Sequence, residues 1–252
     1  MKEFTVKNVT IGSGTPKICV PICASTKEEL LSQIKEYDRD DIDFVEWRID
    51  FFQNVSDFKA VQAAAKDLHA RLSNKPILFT FRTKQEGGEQ ELSIDDYFSL
   101  NLQLAKSGYV DLIDLELFIT NNTTELSFMI NEIQKQNVKV ILSNHDFFKT
   151  PKEDEILHRL KTMQALGADV AKIAVMPNSS NDVLRLLSAT NKMNEQYAHI
   201  PIITMSMGKL GAISRISGEL FGSSVTFGSL KKASAPGQIP VADLKNMLTL
   251  LS

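Results

Sequence analysis

The 252-residue sequence is poor in several features that would each define a protein class. It holds two cysteines, Cys19 and Cys23. On one strand they would lie about 13 Å apart at roughly 3.3 Å per residue, so no disulfide is expected. Neither charge dominates: 28 Lys plus Arg against 31 Asp plus Glu give a net charge of −3. No basic block marks a nucleic-acid surface. No apolar run approaches the roughly 18 residues needed to span a bilayer. The opening Met1-Lys2-Glu3-Phe4-Thr5 lacks the apolar segment of a signal peptide. Of the four histidines, no two stand at zinc-ligand spacing, and His69, His158 and His199 read as surface residues. A metal is therefore not expected, although Asp114 and Glu116 together could suggest a divalent cation. What remains is a soluble, intracellular, disulfide-free globular protein. With 43% hydrophobic residues and no visible linker, residues 1–252 read as a single catalytic domain with a substantial core.

Short runs rich in branched and aromatic residues begin at Lys17, Phe44, Ile77, Leu112, Val138, Val170, Pro201 and Ser224. Their spacing matches one strand–helix unit. Between them lie amphipathic stretches. Ile156, Leu160, Met163 and Leu166 fall on one helical face, and Asp182 to Leu187 lies in another such segment. Thr150-Pro151 reads as a cap and a first-turn proline ahead of Glu153. Eight such units with parallel strands imply an α/β fold, a closed (β/α)8 TIM barrel. A doubly wound open sheet is the alternative, but its glycine fingerprint is missing, since Gly12-Ser13-Gly14 precedes the first long strand and reads as a turn. Residues 3 to 12 are expected to form a hairpin that closes the barrel bottom.

Side chains alternate across a strand, so parity separates the axis from the helices. Val45, Trp47 and Ile49 take the helix side, which leaves Glu46 and Arg48 facing the axis. Likewise Thr80 and Arg82, Asp114 and Glu116, Ser143 and His145, and Lys172 point inward. A barrel interior is ordinarily filled with apolar side chains. Here at least five strands place ionisable groups there, mostly near their C-terminal ends, where barrel active sites lie. Such groups must pair with one another or line a wet cavity.

Lys172 sits within Val170-Ala171-Lys172-Ile173-Ala174-Val175. A lysine in so apolar a stretch is the residue type that offers a nucleophilic amine for a Schiff base. It is equally consistent with a plain ion pair to Asp114 or Glu116. His145 is the candidate general acid–base, with a hydrogen-bonded core histidine as its structural alternative.

With these residues in place, the chain resembles the type I 3-dehydroquinate dehydratase family nearly end to end. The resemblance rests on Glu46-Trp47-Arg48-Ile49-Asp50, Phe79-Thr80-Phe81-Arg82, Glu86-Gly87-Gly88-Glu89 and Asp114-Leu115-Glu116-Leu117. It continues through Ser143-Asn144-His145-Asp146-Phe147, Ala171-Lys172-Ile173-Ala174-Val175-Met176-Pro177 and Met205-Ser206-Met207-Gly208. It closes with Ser214-Arg215 and Lys232-Ala233-Ser234-Ala235-Pro236-Gly237-Gln238.

The resemblance implies a lyase that converts 3-dehydroquinate to 3-dehydroshikimate by syn elimination, in the shikimate pathway toward chorismate and aromatic amino acids. Lys172 would form the imine, His145 would move the protons, and Glu86 would hold the histidine ring. Arg215, Ser234 and Gln238 would take the substrate carboxylate. Glu46, Trp47, Arg48 and Arg82 would complete the substrate site. No external cofactor or metal is implied, and a homodimer is. At Pro21, where some relatives carry a hydroxyl side chain, only a carbonyl is on offer. Residues from about 229 to 239 are expected to form a mobile lid, with protease-sensitive bonds near Lys231 and Lys232. Two other readings stay open: another class I Schiff-base lyase or aldolase, and a non-catalytic relative that only binds a ligand.

Overall fold

A computed structural model describes residues 2–230 and 234–251. Lys231 and Lys232, the expected cleavage points, lie outside the described residues. The chain opens with a hairpin, β1 (Phe4–Val6) and β2 (Val9–Ile11), paired antiparallel from Phe4↔Ile11 to Val6↔Val9. Eight parallel strands follow: β3 (Lys17–Ile22), β4 (Phe44–Arg48), β5 (Ile77–Thr80), β6 (Leu112–Glu116), β7 (Lys139–Asp146), β8 (Val170–Val175), β9 (Ile202–Ser206) and β10 (Val225–Ser229). Each lies within or beside one of the eight apolar runs. The sheet runs β3 to β9 in chain order, and β10 returns to pair with β3. A short β11 (Ile239–Pro240) adds to the far side of β10.

The barrel closes between β9 and β10 through few contacts. Ile202 bridges Ser223, Ser224 N–H donates to the Ile202 carbonyl at 2.8 Å, and the Ser223 hydroxyl accepts from Thr204 N–H at 3.0 Å. A side chain thus completes the seam where the backbone ladder is short.

Helices α1 (Lys27–Gln33), α2 (Phe58–Arg71), α3 (Ile94–Ser107), α4 (Thr123–Gln134), α5 (Glu153–Ala165) and α6 (Ser180–Gln196) connect successive strands. Two short turns of helix, α7 (Ile213–Ile216) and α8 (Gly218–Phe221), lie between β9 and β10, and α9 (Val241–Leu251) ends the chain. Local chemistry sets their starts: Asp57, Ser93 and Asn122 cap α2, α3 and α4, and Ser179 with Asp182 forms a reciprocal capping box on α6. The expected cap on α5 is corrected. Lys152 occupies the cap position without a side-chain bond, and the Thr150 hydroxyl instead donates to the Met176 carbonyl at 3.0 Å. Among the described residues, no helix is long and apolar enough to cross a membrane.

Two apolar layers follow the strand parity. The outer one joins Val45, Trp47, Phe79, Ile113, Leu115, Leu142 and Ile173 to the inner faces of the helices. The inner one fills the bottom of the barrel and continues up one wall through Ala174, Met205, Met207 and Phe227. At the bottom Phe44, Leu78, Leu112, Ile141, Val170, Ile203 and Val225 pack with Val9 and Ile11 of the hairpin. The hairpin therefore plugs the N-terminal end, so the interior above this layer opens only toward the strand C-termini. Cys19 is buried in the same layer, and no disulfide joins it to Cys23.

Candidate active site

Directly above the bottom layer the axis becomes polar. Lys172 on β8 faces Asp114 on β6, with Nζ donating to Oδ2 at 2.9 Å. It lies 3.9 Å from Glu46 on β4 and 4.5 Å from the centre of the Phe227 ring. Ion pairing with Asp114 is thus real, while Glu116 pairs elsewhere. Arg82 binds Glu116 at 2.9 Å and Asp114 at 2.8 Å, and its Nη1 also donates to the Ser143 hydroxyl at 3.1 Å. Burial alone would push the Asp114 carboxyl up, but Arg82, Lys172 and its hydrogen bonds hold it below the usual carboxylate range. Two cations and two carboxylates, from β6, β8 and the segment just after β5, so neutralise one another in the buried interior, as buried charges must.

His145 ends the same strand as Ser143, and Ser143 pairs with Lys172 while His145 pairs with Ala174. The imidazole therefore stands two residues nearer the mouth than the amine, about 7 Å along the strand at roughly 3.3 Å per residue. Burial, then the cations of Arg82, Lys172 and Arg48, push His145 well below its ordinary value. A neutral ring with a free lone pair is what a base at neutral pH requires.

Glu86 sits in a tight turn (Lys84–Glu86) whose cap, Gly87, has φ of +86°. A side chain at Gly87 would also strike the Phe147 ring at 2.4 Å. The glycine is needed there. Glu86 accepts from His145 N–H at 2.9 Å and lies 2.9 Å from Nδ1 through the same oxygen. Its other oxygen accepts from the Asn144 amide at 2.9 Å. Burial and then the charge of Glu116 push Glu86 up, to about 8, against the opposing pull of Arg82 and these donors.

A cleft with about 480 Å³ of open space, solvent at its mouth included, spans this region. Lys172, His145, Glu86, Glu46, Arg48 and Arg82 line it, together with Arg215, Ser234 and Gln238. Arg48 is held by a two-point pair to Asp50, at 2.7 and 2.8 Å. Arg215 is 1% exposed and has no carboxylate partner among the described residues. Its Nη2 donates to the Pro236 carbonyl at 3.0 Å and its Nη1 to the Phe227 carbonyl at 3.4 Å. Its Nε is buried with no partner, and burial lowers its pKa to about 10. Ser234 and Gln238 bond to each other instead: Ser234 N–H donates to Oε1 at 2.8 Å, and Nε2 donates to the hydroxyl at 3.0 Å.

Trp47 is not brought to the cavity. Its ring lies on the helix side, edge-on to Phe52 and Phe79, because its neighbours Glu46 and Arg48 take the inward parity. The expectation of a substrate contact at Trp47 is corrected accordingly. Pro21 does not line the cavity either, and its carbonyl accepts from the Tyr37 hydroxyl at 3.0 Å. His69 is half-buried against Tyr109 rather than on the surface. Residues that parity alone did not single out also line the site: Met205, Met207, Phe227 and Phe147 give it an apolar wall. Among the described residues, no group of three or more His, Cys, Asp or Glu side chains is placed to hold a metal ion.

Fold and site define a class: a (β/α)8 barrel enzyme in which an amine and an imidazole line one small cavity beside a buried arginine. Residues 18–252 match the family described as type I 3-dehydroquinase. A 3-dehydroquinate dehydratase of Listeria monocytogenes serotype 4a (strain HCC23) is 53% identical over 251 residues, covering 100% of this chain and 98% of the relative. One from Escherichia coli (strain 55989 / EAEC) is 51% identical over 251 residues, covering 100% and 99%. The crystal structure of type I 3-dehydroquinate dehydratase from Clostridium difficile, with covalently modified comenic acid, matches with a TM-score of 0.95 and 50% identity. That match covers 100% of this chain and 98% of the other. The chain belongs to the type I 3-dehydroquinase family.

Proposed function

We propose that this protein dehydrates 3-dehydroquinate to 3-dehydroshikimate through an imine at Lys172, as a single-domain lyase of the shikimate pathway. The observation that carries the reading is the convergence of three groups on one cavity: the Lys172 amine, the His145 imidazole, and Arg215, a buried cation with no carboxylate of its own. A substrate with a ketone, an acidic adjacent C–H and a carboxylate at the far end of a small ring matches all three. A cytoplasmic location and a homodimer belong to the same reading, by family analogy.

The Lys172 amine adds to the C3 carbonyl and water departs, giving an iminium that acts as an electron sink. His145 Nε2 takes the C2 proton, and the electrons move toward the iminium nitrogen. The resulting enamine expels the C1 hydroxyl, which leaves as water with a proton from the imidazolium. Water then adds to the product imine, and its collapse returns Lys172. Glu86 keeps the proton of the neutral ring on Nδ1 and so leaves Nε2 bare. Glu46, Arg48 and Arg82 face the ring hydroxyls. Ser234 and Gln238 exchange their mutual bonds for the substrate carboxylate, and the segment around Pro236 acts as a lid. An enone absorbance assay with 3-dehydroquinate tests the assignment: purified protein produces the band, and its absence would refute the reading.

Two further results are expected. Arg215→Ala should raise KM by about tenfold or more, since a charge-assisted bond to carboxylate contributes about 1.5–3 kcal/mol. An unchanged KM would remove Arg215 from carboxylate binding. The second concerns pH. When Glu86 is protonated it donates to Nδ1, the ring proton moves to Nε2, and the base is lost. The competent form therefore builds as pH rises through about 8, so kcat/KM should fall by up to about tenfold per unit below that pH. Glu86→Gln should lower kcat at every pH and abolish this limb. A limb at the same pH in that variant would assign it to another group.

A further inference from the structure

Behind Glu86 the hydrogen bonds continue out of the cavity. Asn144 is buried, 4% exposed. Its Nδ2 donates to Glu86 Oε1 at 2.9 Å, and its Oδ1 accepts from Arg159 Nη1 on α5 at 2.7 Å. Arg159 is fixed in turn by Glu155, whose Oε1 accepts from Nε at 2.8 Å, and by the Phe118 ring, 5.4 Å from the guanidinium. Four residues thus form one line: Arg159, Asn144, Glu86, His145.

Direction is the informative property of this line. An asparagine amide can present either its oxygen or its NH2 group after a half-turn, whereas a guanidinium can only donate. Arg159 therefore decides which end of Asn144 meets Glu86. With Arg159 present the carbonyl is taken, and only the NH2 group is left to face the carboxylate. Both Glu86 oxygens then act as acceptors, which is the state that leaves the Nδ1 proton on the His145 ring. Without Arg159 the amide is free to turn its carbonyl toward Glu86, which favours a protonated carboxyl. We propose that Arg159 is a positioning residue for the reaction, acting through Asn144 and Glu86 to keep Nε2 of His145 available as the base.

The inference rests on the proposed role of His145 in dehydration. The groups facing this line are few. Arg82 lies 3.7 Å from Glu86, and Glu116 opposes Glu86 by charge. The cations of Arg82, Lys172 and Arg48 act on His145, and among the described residues Glu155 alone is ion-paired to Arg159. None of these is displaced when Arg159 is shortened, so a change in the Glu86–His145 pair would report the lost link.

The test uses the full chain and steady-state rates on 3-dehydroquinate from pH 6 to 9.5. Arg159→Met should lower kcat at pH 7 by about tenfold, the lower end for removal of a supporting hydrogen-bond partner. KM should stay within about twofold. The acid limb of kcat/KM should move up by about one pH unit, a tenfold change in the protonation equilibrium. Arg159→Lys retains a donor and should recover part of the loss, while Glu155→Gln should behave as wild type. If Arg159→Met does not fold, Asn144→Leu removes the middle link and should show the same kcat loss with the same KM. Nitrogen-15 NMR of the His145 ring at pH 9, above the Glu86 value of about 8, reads the link without substrate: wild type should hold the proton mostly on Nδ1, and Arg159→Met should populate the Nε2 tautomer about equally. That readout separates a failure of this inference from a failure of the substrate assignment. Wild-type kcat, limb and tautomer in the folded variant, or a rise in KM alone, would overturn it.

Discussion

Lys172→Met is expected to abolish turnover of 3-dehydroquinate and all covalent trapping while leaving the barrel folded. Only the amine can make the imine, so no neighbouring group replaces it, and the iminium is the sole electron sink in the proposed path. The folding consequence is smaller than the removal of a buried cation would suggest. Removing one partner of a buried pair costs about 3–5 kcal/mol when the other charge is left uncompensated. Asp114 is not left so, because it keeps Arg82 at 2.8 Å and the Ser143 hydroxyl at 2.6 Å. Methionine also refills most of the volume of the lysine stem beside the Phe227 ring. A far-ultraviolet circular dichroism melt with a cooperative transition, alongside a rate below detection, is the expected pair of results. Residual turnover near the wild-type rate would rule out the imine.

His145→Ala should lose roughly 10²–10⁴ in kcat, the usual scale for a positioned acid–base group. The loss should fall on proton transfer and spare the covalent step more. Glu86 retains the backbone N–H of residue 145 and the Asn144 amide in this variant, so the site stays in place. Borohydride should therefore still capture substrate on Lys172, with a yield that builds more slowly if imine formation also uses the ring. Rapid-quench trapping against steady-state rate separates the steps. A variant that turns over normally, or one that traps nothing while remaining folded, would contradict the assigned role.

The strand parity made the inner face legible before any coordinates. A period of two is rigid over a short strand, so Glu46, Arg48, Asp114, Glu116, His145 and Lys172 could face only one way once their apolar neighbours faced the helices. The same rule placed Trp47 outside the cavity, and the family motif that contains it obscured this, because a motif records neighbours in sequence and not which side each faces. The hairpin plug was legible from its position ahead of the first barrel strand. Partners that depend on distant elements were not. Asp50 pairs with Arg48 only because the chain turns sharply at the end of β4. Arg159 reaches Asn144 from the helix that follows β7, and its spacing resembles any exposed helical arginine. Thr150 looked like a cap, but the bond to Met176 joins the loops after two neighbouring strands. The mutual bond between Ser234 and Gln238 was equally hidden, since composition shows what two side chains can bind and not that they bind each other.

The most direct test of the account is the mass of the trapped enzyme. Incubation with 3-dehydroquinate followed by borohydride should inactivate the protein and add one reduced substrate or product unit per chain. After digestion, that mass should sit on the peptide carrying Lys172 and on no other. An active enzyme that yields no adduct, or an adduct on a different lysine, would contradict the claim that Lys172 carries the reaction.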